Sequence, residues 1–178
     1  MVSHGEPMTR EPGVERRGAV AEFVPVPEGQ VQEIFRQAEA GYPEEICGII
    51  VGTPGRPGTW QIRQVPNVAN QELQRDPGGV ERDARTAYRM DDRAVLQILR
   101  QAEGAGLEIL GFYHSHPDHE ANFSAMDRER ATLQGAEPLW PGAFYLVVSV
   151  RGGRATQAKH FAWDAARRDF AEQEPATL

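Results

Sequence analysis

Two imidazoles and a carboxylate fall within fourteen residues of this chain, as His114, His116 and Asp127. They are set in the run His114-Ser115-His116-Pro117, followed after six intervening residues by Ser124 and then by Asp127. Two nitrogen donors, one oxygen donor and an open position suit a catalytic Zn²⁺, which takes three protein ligands and keeps a fourth place for water. The spacing is chemically sensible. Residues i and i+2 of a strand point to one face, so His114 and His116 can converge on a single ion. Read alone, a His-x-His pair is also what two surface histidines on a strand edge would look like. Other divalent ions could use the same ligands.

The elements around these residues can be read from hydrophobic period and breakers. Leu107-Glu108-Ile109-Leu110-Gly111-Phe112-Tyr113 reads as a largely buried strand leading into His114. Pro117 cannot donate to a ladder, so it ends that strand. A loop through 118–123 leads to a helix from about Ser124 to Gln134, which places Asp127 in its first turn. Upstream, Val31, Ile34, Phe35 and Ala38 fit one face of a helix over about 27–40, stopped by Gly41-Tyr42-Pro43. Ile46 to Val51 is a continuous apolar run and reads as a buried strand. Residues 53–58 read as a turn, and Trp60 and Ile62 alternate as in a half-buried strand. The polar stretch 69–84, with Asp76-Pro77-Gly78-Gly79, reads as a long mobile loop, and 86–90 as a short strand. A helix over 91–105 carries Ala94, Val95, Ile98, Leu99 and Ala102 on one face. That face could serve a homodimer as readily as a core. A buried strand follows at 144–150, and 157–163 reads as the last strand. The expected division is a flexible N-terminal arm over 1–20, one domain over 21–165 and a C-terminal tail over 166–178. The irregular alternation of strands and helices predicts an α/β (α+β) sheet sandwich.

The motif resembles that of the JAMM/MPN+ metalloproteases: a distant glutamate, His-x-His-Pro, a spacer, then Ser-x-x-Asp. In that family the glutamate lies three residues before a glycine that opens a hydrophobic strand. Here the segment is Tyr42-Pro43-Glu44-Glu45-Ile46-Cys47-Gly48-Ile49-Ile50-Val51-Gly52, which assigns the role to Glu45 and leaves Glu44 as a solvated neighbour. The resemblance covers about residues 24–163, and no motif position is missing. It implies a curved mixed β-sheet flanked by helices, of the cytidine-deaminase-like kind. It implies Zn²⁺ on His114, His116 and Asp127, with Glu45 as general base for the attacking water. Ser124 has two readings. It can be an oxyanion donor, as the family resemblance implies, or the N-cap of the helix carrying Asp127. Ser115 points to the opposite face and reads as a structural hydrogen-bond donor behind the site. His119 reads as loop-exposed or substrate-facing. Cys47 shares a face with Glu45 but opens an apolar strand, so it reads as a small core residue rather than a nucleophile.

Composition narrows the classes. The chain has 178 residues, enough for one globular domain. A net charge of −7 argues against general binding to nucleic acid or to anionic membranes. A single cysteine cannot form an internal disulfide, which fits a reducing, cytoplasmic setting. No stretch approaches the roughly 20 apolar residues of a membrane span. Residues 1–17 lack the apolar core of a secretion signal.

The site is suited to amide hydrolysis but does not specify the amide. The resemblance implies bonds after the C-terminal Gly-Gly of a ubiquitin-fold protein. The compact single domain resembles members that act on small sulfur-carrier proteins, for example on a carrier–cysteine adduct. Segments 69–84 and 135–142 occupy places where the family carries substrate-contacting insertions, so the tail is expected between them. The rival readings are a deubiquitinase-like deconjugating protease, a cell-wall peptide hydrolase with a similar motif, and an inactive MPN-type binding scaffold. The scaffold would be missing ligands that this chain has.

Overall fold

The computed structural model describes residues 23–76, 78 and 82–174. The arm expected over 1–20 lies outside the described residues. Helix α1 spans Glu28–Gly41 and packs Ile34 and Ala38 fully inside. Strand β1 follows at Cys47–Gly52, every residue buried, and returns through a short 3-10 turn at Pro57–Thr59 into β2, Gln61–Val65. Next come α2 (Ala69–Arg75), α3 (Asp92–Gly104) and the long strand β3 (Glu108–Pro117). Helix α4 covers Ala125–Ala131 and runs into a two-stranded ribbon, β4 (Thr132–Leu133) and β5 (Glu137–Pro138). The sheet closes with β6 (Phe144–Arg151), β7 (Arg154–Asp164) and β8 (Asp169–Gln173).

The main sheet has six strands in the order β2-β1-β3-β6-β7-β8. Among the described residues only β3 and β6 are parallel, and their crossover carries α4 and the ribbon. The other neighbours are antiparallel. This is the mixed sheet flanked by helices that the sequence leads one to expect. Register shifts at Ile50/Val51 and Ser149/Val150 mark bulges, which bend and twist the strands that carry them.

Each face of the sheet has its own core. On one side Ile34 and Ala38 of α1 meet Ile50, Tyr113, Leu146, Val148 and Val150. On the other, Ala94, Val95, Ile98 and Ala102 of α3 meet Ile49, Phe112, Tyr145, Val147, Phe161 and Phe170. The α3 face is therefore occupied by the core, and it supplies no argument for a homodimer. Strand alternation places Phe112 on the α3 side and Tyr113 on the α1 side, so His114 and His116 project toward α3 and α4.

Four local expectations change. The stretch read as a loop over 69–84 begins with α2, whose start is held by the Asn67 Oδ1 accepting from the Ala69 N–H at 3.0 Å. Residues 86–90 make only one bridge, Asn67 to Met90, because the Asn67 side chain takes backbone groups that a ladder would use. The helix after Ser124 stops at Ala131, where the chain turns into β4. The tail expected over 166–178 contains β8. Its one large apolar residue, Phe170, is buried against Phe123, Tyr145 and Trp163. The preceding turn is set by Asp164, whose Oδ1 accepts from the N–H groups of Ala166 and Arg167.

Gly48 explains why a glycine follows Glu45 by three residues. A Cβ there would run into the ring of Tyr113, which is fully buried and donates its hydroxyl hydrogen bond to Gln37 at 2.6 Å. Gly48→Ala is expected to cost about 1–3 kcal/mol through overpacking, or about 2–10 °C in Tm. Thermal unfolding checks this; an unchanged Tm would show that Tyr113 can move aside.

Candidate metal centre and active site

The three residues singled out by spacing come together. His114 and His116 stand at the C-terminal end of β3, fully and largely buried. Asp127 lies in the first turn of α4 and is also buried. One donor atom from each falls within 4.8 Å of the others. The two Nε2 atoms face each other at 3.1 Å. Asp127 places Oδ1 at 3.2 Å from His114 Nε2 and Oδ2 at 3.6 Å from His116 Nε2.

Ser124 and Asp127 form a capping box, which fixes the carboxylate. The Ser124 Oγ accepts from the Asp127 N–H at 3.1 Å, and Asp127 Oδ2 accepts from the Ser124 N–H at 2.8 Å. The N-cap reading of Ser124 is therefore correct. Its hydroxyl proton remains available, because accepting at the cap uses a lone pair and not the O–H. Ser124 also lines the cleft beside Asp127.

His116 Nδ1 lies 2.9 Å from the carbonyl of Glu120. Donation there leaves the Nε2 lone pair directed into the cleft, the tautomer a metal ligand needs. His114 has no such partner: its Nδ1 is buried without a hydrogen bond among the described residues. Its ring is instead stacked on Tyr88, with centroids 4.7 Å apart and an interplanar angle of 30°. Two imidazole nitrogens this close, both against a carboxylate, leave little room for anything but a proton or a cation between them. The donor set of two nitrogens and one oxygen fits zinc.

Burial and charge oppose each other across this cluster. Burial lowers the pKa of His114 and favours its neutral form. For His116 burial also acts downward, but hydrogen bonds to Asp127 and Glu120 and the charges of Glu45 and Asp127 outweigh it, and its pKa is raised. For Asp127 burial acts upward and is overcome by the histidines and Ser124, so it stays a carboxylate. A proton and a metal therefore compete for the Nε2 of His116. The apparent metal affinity should fall as pH drops through the His116 range, by up to about tenfold per pH unit for one displaced proton. Competitive chelation at pH 8 and pH 5.5 measures this; equal affinities at both would count against these ligands.

Glu45 lies just before β1, on the side of the sheet that carries the histidines. It is buried to 8% exposure and shares a cleft of about 540 Å³ with His116, Ser124 and Asp127. Burial pushes its pKa up to about 7, with the Asp127 charge adding and the His116 charge opposing. A carboxylate with that pKa can both take and return a proton near neutrality. Glu44 beside it is exposed and accepts from Asn70 Nδ2 at 2.8 Å. Cys47 is buried. Its thiol approaches the Val65 carbonyl at 3.5 Å, and burial pushes its pKa up to about 12, so it carries no nucleophilic thiolate. Ser115 does sit behind the site, but as an acceptor: its Oγ takes the Ile46 N–H at 3.0 Å. His119 is exposed at the rim of the cleft.

Several site residues escape sequence reading. Tyr88, Arg82, Arg130 and Arg151 all line the cleft. The Arg130 guanidinium donates to the Tyr88 carbonyl at 2.5 Å and lies 5.9 Å from its ring centroid. Its position three residues after Asp127 on α4 was a usable signal; nothing near Tyr88 in sequence points to His114. Tyr88 and Arg130 also line a second cavity of about 660 Å³, together with Ala69, Glu72, Phe112, Trp140 and Tyr145 among others.

A mixed sheet with a buried His-His-Asp cluster at the end of its central strand, and a glutamate beside it, defines a JAB-type fold with a candidate metal centre. Residues 27–166 match the family described as prokaryotic homologs of the JAB domain, and the chain belongs to it. It is 36% identical over 118 residues to a desampylase of Haloferax volcanii, covering 66% of this chain and 71% of that protein. It is 32% identical over 121 residues to the CysO-cysteine peptidase of Mycobacterium tuberculosis, covering 68% and 69%. The solution structure of a Desulfitobacterium hafniense protein superposes with a TM-score of 0.59 at 23% identity. One from Salinibacter ruber gives 0.54 at 28%. Each covers 83% of this chain and 87% of its own.

Proposed function

We propose that this protein is a zinc-dependent hydrolase of the amide bond that follows the C-terminal Gly-Gly of a ubiquitin-fold protein, acting chiefly on a small sulfur-carrier protein. The observation that carries this reading is the buried His114-His116-Asp127 cluster opening on a cleft it shares with Glu45. The relatives support the substrate class: one is named a desampylase and others CysO-cysteine peptidases. A zinc ion held by His114, His116 and Asp127 would polarise the scissile carbonyl and acidify the attacking water. Glu45 accepts the water proton as the new C–O bond forms. Ser124, capped but with its O–H free, donates to the developing oxyanion. Glu45 then delivers the proton to the leaving nitrogen as the C–N bond breaks, which restores the carboxylate.

The paired cavities suit an extended tail. They share Tyr88, and the second is lined by Ala69, Glu72, Arg82 and Trp140. Those residues come from the two segments expected to flank the tail. Among the described residues the main sheet has its edges at β2 and β8, and the short ribbon of β4 and β5 supplies a further edge for strand addition. Among the described residues no helix is long and apolar enough to cross a membrane. A cytoplasmic setting, with its carrier proteins, agrees with the single buried thiol.

The test pairs metal content with cleavage. Purified protein is analysed for zinc and incubated with a sulfur-carrier protein ending in Gly-Gly-cysteine, beside a ubiquitin-like protein linked to lysine. About one zinc per chain and release of cysteine are expected. Release from the lysine conjugate alone would favour the deconjugating reading. Zinc with neither cleavage would move the search to cell-wall peptides, and no zinc would leave a binding scaffold. In the same assay, deleting 70–83 is expected to raise KM for the carrier at least several-fold; unchanged kinetics would remove that segment from the tail site.

A further inference from the structure

Glu45 is not held by the sheet. It precedes β1, whose ladder begins at Cys47, and both of its backbone polar groups go to the crossover between β2 and α3. Its N–H donates to the Ala84 carbonyl at 2.7 Å. Its carbonyl accepts from Asn67 Nδ2 at 2.9 Å. The orientation of this carboxylate therefore depends on what fixes Asn67.

Asn67 makes four hydrogen bonds through one amide. Nδ2 donates to the carbonyls of Glu45 and, at 3.1 Å, Ala87. Oδ1 accepts from the N–H groups of Ala69 at 3.0 Å and Arg89 at 2.9 Å. That is the full capacity of an asparagine side chain, two donors and two acceptors. The partners lie on three separate segments: the peptide of Glu45, the start of α2, and the 87–89 stretch. The same stretch carries Tyr88, whose ring is stacked on His114. Main-chain bonds brace it further, from Val68 N–H to the Arg89 carbonyl at 2.8 Å and from Asp91 N–H to the Pro66 carbonyl at 3.1 Å.

We propose that Asn67 is the positioning residue for Glu45: its amide locks the peptide of the general base to the wall of the cleft that carries Tyr88. This rests on the reading of Glu45 as base. Asn67 touches no metal ligand and no reacting atom in this arrangement. Its loss should leave the metal in place and misplace the base, and a shift of about 1 Å in a reacting group can cost on the order of 10²-fold.

The test has two readouts. The first is amide hydrogen exchange on the full chain. In Asn67→Ala, exchange should quicken together at Glu45, Ala69 and Arg89, and stay unchanged at Ile49 and Ile50 within β1. The second is a double-mutant cycle with Glu45→Gln, read as steady-state cleavage of the carrier–cysteine substrate. Asn67→Ala should lower kcat by about 10- to 100-fold with KM within about threefold, and should lower the residual rate of Glu45→Gln by less than about threefold. Zinc content should remain about one per chain throughout. Asn67→Asp serves if the alanine variant does not fold. It keeps both acceptor contacts and sets a carboxylate oxygen against the carbonyls of Glu45 and Ala87, so the same pattern is expected. Unchanged exchange at Glu45 would overturn the proposal, and so would equal losses in the two backgrounds. Should the wild-type protein cleave nothing, the proposed function fails on its own account and the exchange experiment still decides the tether.

Discussion

Replacing Glu45 by glutamine is expected to lower cleavage by about 10²–10⁴-fold while zinc stays at about one per chain. The amide keeps the size of the carboxyl group and fits the same buried place, but it cannot accept a proton from water. It also removes a carboxylate whose ionised form is disfavoured by burial, as the raised pKa of about 7 shows. The variant should therefore be no less stable than the parent. The same pKa sets the direction of the pH profile. Glu45 must be ionised to act as a base, so kcat/KM should fall as pH drops through its pKa and be sustained above it. A dication on the adjacent ligands favours the carboxylate and moves this limb below 7. Cleavage by Glu45→Gln at the parental rate, with the acid limb retained, would remove Glu45 from the chemistry.

Asp127→Ala should have the other large effect, and in two quantities at once. Asp127 is the sole carboxylate of the ligand cluster and the second half of the capping box. Its loss leaves two imidazoles facing each other, so zinc content should fall from about one per chain to near zero under dialysis. Loss of the cap contact should cost about 0.5–2 kcal/mol, and about 2–4 °C in Tm per kcal/mol for a chain of this size. The two can be separated by Ser124→Ala, which removes the cap acceptor and keeps all three ligands. That variant should lose comparable stability in the metal-free state and retain zinc. A zinc-replete Asp127→Ala would mean that the ion, if any, is held elsewhere.

The ligand set was legible because each of its members sits in a local frame. Two histidines separated by one residue share a face in any strand, and an aspartate three residues after an N-cap serine falls in the first turn of any helix. The order of long apolar runs likewise determined the central strands, since buried parallel and interior strands read as continuous hydrophobic stretches. Gly48 could be noticed by spacing, but its reason, the ring of Tyr113, comes from the next strand.

What escaped the sequence depends on contacts between segments far apart in the chain. Strand β8 carries one large buried residue and forms because β7 offers a free edge and an aromatic cluster receives Phe170. Segment 86–90 looks like a strand, yet its Ala87 carbonyl and Arg89 N–H go to the side chain of Asn67. Tyr88 reaches His114 across 26 residues of chain, a pairing no local period encodes. The sequence by itself determined which residues can ligate a metal and which strand and helix present them, because those relations are set by backbone geometry within a few residues. Only the tertiary structure decided how the base is held, what stands behind His114 and where the cleft leads, because packing and hydrogen bonds between distant segments are satisfied after the chain has closed on itself.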